Sequence, residues 1–89
     1  MGLETVEILL SVEEHFRISV PDASWTECVT VADLQNLVVE LLVAQGRVRS
    51  EFLRREVWDG ILTVLRQEGY DVARIRPDST WVGDITKYG

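Results

Sequence analysis

A small all-α bundle is the fold class this 89-residue sequence predicts. Three stretches carry apolar residues at helical spacing, a fourth and shorter one follows a proline, and Gly or Pro stands where each long stretch must stop. The spacing predicts three long helices over 3–16, 31–43 and 51–67 and a short one over 23–27, in one domain spanning 1–89.

In the first stretch, Glu4, Glu7, Ser11, Glu14 and His15 fall in one polar arc of roughly 100°. Leu3, Val6, Ile8, Leu9, Leu10, Val12 and Phe16 fill the rest, interrupted by Thr5 and Glu13. An apolar arc that wide predicts contacts with more than one neighbour, so this helix is expected at the centre of the bundle. Pro21 holds Val20 out of helical geometry and ends it. Asp22 is the expected cap of the short helix.

Thr30-Val31-Ala32-Asp33 is written like a capping box with Asp in place of Glu. The helix it opens has the stripe Val31, Leu34, Leu37, Val38, Leu41 and Leu42, with Gly46 as its stop. A basic connection, Gly46 to Arg49, leads to Ser50, the expected cap of the last long helix. Phe52, Leu53, Val57, Ile61, Leu62, Val64 and Leu65 recur at helical spacing there, flanked by Trp58. Gly60 costs that helix ~1 kcal/mol relative to Ala. Beyond Gly69 a long loop is expected, pinned by Ile75, Trp81, Val82 and Ile85.

Composition excludes several function classes. The net charge is −6, and it is uneven: residues 1–45 hold eight acidic side chains and one basic one, residues 46–89 seven and eight. That balance opposes nucleic-acid binding, which needs a basic face, and suits a basic protein partner. The longest mostly apolar stretch, Leu37 to Ala44, is far short of the ~20 residues a membrane span requires. With no basic-then-apolar leader in view, a cytoplasmic location is expected. One cysteine, Cys28, and one histidine, His15, give no zinc spacing and no internal disulfide. Cys28 reads as a small core residue, and Trp25, Trp58 and Trp81 as core or loop anchors. No nucleophile–base pair marks an enzyme.

Two segments resemble acyl carrier proteins. One is Leu3-Glu4-Thr5-Val6-Glu7 through Glu13-Glu14-His15-Phe16, then Ile18-Ser19-Val20-Pro21-Asp22, similar to that family's second helix and the turn after it. Val29-Thr30-Val31 resembles the start of its last helix. The other is Val57 to Leu65, Gly69, Val72, and Ile75-Arg76-Pro77-Asp78-Ser79-Thr80-Trp81-Val82-Gly83-Asp84-Ile85, similar to its first helix and long loop. The family order is reversed here, as a circular permutation would produce. The two ends would then lie close together, in one chain or across a segment-swapped dimer.

The resemblance implies a phosphopantetheine arm on a serine in an Asp-Ser-Leu motif. In this register Leu3 is the motif's leucine, Gly2 stands at the serine and Met1 at the aspartate, while Tyr88 and Gly89 fall on the same two positions from the other end. No hydroxyl is supplied there, so no cofactor is expected. Thr5 is the nearest substitute, a turn further on, and would carry phosphopantetheine in the alternative reading. The resemblance also implies that Glu4, Glu7, Glu13 and Glu14 face basic patches on enzymes of fatty-acid, polyketide or related acyl metabolism. A third reading is a plain helical interaction module.

Overall fold

The structure, a computed structural model, describes residues 3–81, with side chains described from Val6 onward. It is a small all-helical assembly: α1 Leu3–Phe16, α2 Asp22–Thr26, α3 Val31–Ala44 and α4 Glu51–Gln67, then a single 3-10 turn, Val72–Arg74. The long helices fall where apolar periodicity places them. The short one starts a residue early, because Pro21 itself takes the extended N-cap conformation (φ −61°, ψ 139°) and offers no side-chain cap. Asp22, expected as the cap, is instead the first helical residue.

The bundle centre is α4, not α1. Helix α4 packs against both α3 and α1. Its Leu53, Val57, Gly60, Ile61, Val64 and Leu65 are all buried. Of α1's wide apolar arc, Ile8, Leu9 and Val12 are buried, whereas Val6 and Leu10 are 41% and 58% exposed. Phe52, assigned to the α4 stripe by spacing, is 74% exposed. It precedes Leu53 by one residue, a rotation of about 100° that carries it off the buried face.

The α1–α4 crossing is close at Gly60. A Cβ there would collide with Cζ of Phe16, so the missing side chain is what lets the Phe16 ring lie on α4. One helical turn and more away, the Ser11 hydroxyl donates to the Glu68 carboxylate at 2.5 Å. The two helices are therefore tied at both ends of their contact.

Helices α3 and α4 finish with the same pair of backbone bonds, and α1 with the longer of the two. After α3, Gly46 N–H donates to Val43 and Arg47 N–H to Leu42; after α4, Gly69 N–H donates to Arg66 and Tyr70 N–H to Leu65. These are Schellman closures, which need a left-handed residue just past the helix. Gly46 (φ 108°) and Gly69 (φ 91°) supply it. After α1 the corresponding long-range bond is Ile18 N–H to Glu13 O, and the left-handed residue is Arg17 (φ 56°).

The start of α3 is clasped by the segment after Gly69. Four N–H groups open every helix without an internal partner. Here Val31 N–H donates to Ser79 O, Ala32 N–H to Pro77 O, and Asp33 N–H to Thr30 Oγ1. The Asp33 carboxylate accepts from Thr30 N–H and Val29 N–H, completing the capping box. Thr30 and Thr80 form an antiparallel bridge, and Trp81 Nε1 donates to Thr30 O at 3.2 Å. The segment expected as a loop is thus organised by Tyr70, Ile75 and Ser79, all buried, and by the 3-10 turn, whose Ala73 N–H is capped by Asp71.

Candidate functional site

Helix α1 presents one face to solvent. Val6, Glu7, Leu10 and Glu14 are all exposed. At 100° per residue they share an arc of roughly 100°. Val6, Leu10 and Glu14 follow one another at i, i+4 and i+8, and Glu7 lies beside them. Neither glutamate forms an ion pair among the described residues. The face is therefore acidic and apolar together, with its charge uncommitted.

Glu13 does something else. It is half-buried, and its carboxylate accepts the Val20 N–H at 2.8 Å, holding the chain that leaves α1. Buried Ile18 and Val20 are set down by this contact. Ser11, placed by spacing in the polar arc, is committed to Glu68. His15 is exposed and edge-on to Phe16, with ring centroids 4.8 Å apart. Gly2, the side chains of Glu4 and Thr5, and Val82 and Ile85 lie outside the described residues, as does the proximity of Gly2 to Ile85.

Two further groups, Cys28 and Asp33, have shifted acidities. Cys28 is half-buried, its thiol directed at Ser24 O at 3.5 Å. Burial pushes that thiol's pKa up, and the nearby charges of Asp33 and Glu27 push it further. A thiol so placed stays protonated and is a poor nucleophile. The Asp33 carboxyl moves the other way, held low by the backbone N–H groups of Thr30 and Val29. Among the described residues no group of three metal-ligating side chains comes together. None of the described helices is long and apolar enough to cross a membrane.

The tryptophans divide. Trp25 is buried, and its ring lies 5.5 Å from that of Trp81, so these two pin the clasp to the bundle. Trp58 stands apart, lining an open cleft of about 260 Å³ with Gln35, Glu51, Arg54, Arg55 and Pro77. Sequence reasoning missed this cleft. The visible signal was Arg54-Arg55 followed a turn later by Trp58; what it lacked was Pro77, brought in by the clasp.

No protein-family model, curated protein or solved structure matches the chain.

Proposed function

We propose that this chain is a non-enzymatic, acyl-carrier-like protein that docks on basic surfaces of enzymes in fatty-acid, polyketide or related acyl metabolism, without a phosphopantetheine arm of its own. The reading rests on the resemblance of residues 3–22 and 57–85 to that family in permuted order. The observation that carries the docking half is the outer face of α1, where Val6, Glu7, Leu10 and Glu14 are exposed together and the two glutamates form no ion pair among the described residues.

Such a face divides the work of binding. The carboxylates steer a basic partner and set orientation, an effect felt mainly in association rate. Each exposed ion pair contributes only ~0.2–1 kcal/mol. Burying Leu10 fully would contribute ~1.5–3 kcal/mol, which makes the apolar pair the anchor.

The test has two arms. Incubated with a broad-specificity phosphopantetheinyl transferase and coenzyme A, the protein should gain no mass, since Gly2 stands at the serine position. A single-arm gain abolished by Thr5→Val would make it a working carrier instead. In the second arm, proteins retained on the immobilised chain at low salt are compared with those retained on the Glu7→Lys/Glu14→Lys variant. Loss of the same partners in the variant and in high salt is expected. Identical, salt-insensitive retention would sink the docking role.

A further inference from the structure

We infer that the cleft between α3, α4 and the Pro77 turn is a binding site for a small anion, a carboxylate or phosphate borne on a compact apolar body. It lies on the α3 side of α4, away from the α1 face, and is independent of the docking reading.

The cleft's polar lining is dominated by donors. Arg54 is fixed twice by α3: its Nη1 donates to Asn36 Oδ1 at 2.9 Å, and its carbonyl accepts from Gln35 Nε2 at 3.0 Å. Asn36 is neutral, so this bond orients the guanidinium without neutralising it, and most of its five N–H groups stay available. Arg55 has no acidic partner among the described residues. Arg47 is paired with Glu56, Arg49 with Glu40 and Arg74 with Asp71, whereas Arg17, Arg66 and Arg76, like these two, form no ion pair among the described residues; Arg54 and Arg55 differ from them in lining one cleft together. Trp58 Nε1 makes no hydrogen bond within the described protein, which adds a neutral donor beside the two cations.

One carboxylate, Glu51, shares the lining. It sits in the first turn of α4, where the helix dipole favours a negative charge. Two guanidiniums against one carboxylate leave the cleft locally positive on a chain of net charge −6. Its volume falls a little under the ~300–1,000 Å³ usual for small-molecule sites, which suits a fragment-sized ligand. The indole of Trp58 and the ring of Pro77 supply the apolar wall. Guanidinium forks match carboxylate and phosphate alike.

The experiment uses the full chain, labelled with nitrogen-15, titrated with phenyl phosphate, benzoate and, as a neutral control, benzyl alcohol. The readout is the three indole N–H resonances, with that of Trp58 assigned by its loss in Trp58→Phe. A saturable shift of the Trp58 resonance by at least one anion, with Trp25 and Trp81 unmoved, is expected. Arg55→Gln and Arg54→Gln should each weaken it about tenfold or more, the loss of a charge-assisted bond. Glu51→Gln should tighten it, because the competing carboxylate is gone. The tighter of the two anions identifies whether phosphate or carboxylate is the class held. All three substitutions are at exposed positions, and the amide spectrum reports their folding. Three results would each overturn the site: no saturable Trp58 shift with either anion, equal binding of benzyl alcohol, or unchanged affinity in both arginine variants.

Discussion

Helix α1 is by composition more apolar than α4, yet α4 is the one buried on two sides. The difference lies in how the apolar residues are arranged. In α4 the buried positions repeat at three and four residues from Leu53 to Leu65, with charges confined to the other side. In α1 they spread round the helix, and Val6 and Leu10 are left outside while Ile8, Leu9 and Val12 turn in. A narrow stripe fixes which side faces the core; a broad arc does not say how much of itself will be covered. The uncovered part of α1 is what makes it a docking candidate.

The largest effect should come from emptying the α4 stripe. Ile61 is fully buried between neighbours, so Ile61→Ala should cost about 2–5 kcal/mol through lost burial and the cavity left behind. Leu10→Ala should stay within about 0.5 kcal/mol, because Leu10 already faces solvent. Urea unfolding of both variants against wild type measures the contrast. A cost at Leu10 comparable to that at Ile61 would mean α1's outer face is covered, and would break the comparison.

Smaller losses should follow at two glycines, Gly60 within α4 and Gly69 just past its end. At Gly60 an added methyl meets the Phe16 ring, and overpacking typically costs ~1–3 kcal/mol. Against this stands the ~1 kcal/mol gained in helix propensity, so Gly60→Ala should be destabilising by about 1 kcal/mol. In a Phe16→Leu background the same substitution should cost clearly less, since the ring is its closest contact and the His15 imidazole, with Nε2 at 3.1 Å, is the one that remains. At Gly69 nothing stands within 4 Å of the added Cβ, but φ is 91°. Gly69→Ala should therefore cost about 1 kcal/mol through backbone strain alone, with no rescue from Phe16→Leu. Thermal or urea denaturation of the single and double variants separates the two causes.

The sequence made much of this fold legible, for physical reasons that differ by place. Helix spans followed from periodicity, and the α3 start from Thr30 and Asp33, because capping is a contact between near neighbours in the chain. The stops at Gly46 and Gly69 were legible because glycine is the usual left-handed residue past a helix. The clasp was not, since Val31 and Ala32 find their acceptors at Ser79 and Pro77, more than forty residues away. Spacing set Glu13 in the apolar arc and the family resemblance grouped it with the acidic face; neither reveals that a backbone N–H, that of Val20, lies within its reach. The cleft at Trp58 has the same origin as the clasp: local sequence names Arg54 and Arg55, and a distant segment closes the site.

The last and smallest effect concerns how α1 ends. Its closure needs a left-handed residue, as those of α3 and α4 do, but Arg17 occupies the position at φ 56°. The backbone gains from Arg17→Gly by relief of about 1–2 kcal/mol of left-handed strain. Part of that is offset, because glycine frees the unfolded chain by roughly 0.4–1 kcal/mol. A further ~0.3 kcal/mol or more is lost with a cation at the negative end of the helix. The Gln45 Nε2 bond is to the Arg17 carbonyl and survives the change. The net expectation is a gain of about 0.5 kcal/mol, opposite in sign to Gly69→Ala at the matching position of α4. Because the dipole contribution is screened by salt and the strain is not, the gain should rise as ionic strength increases. Urea titrations at low and high salt read both the sign and the trend. A loss of stability in Arg17→Gly that persists at high salt would show that the arginine side chain, and not the backbone geometry, holds the end of α1.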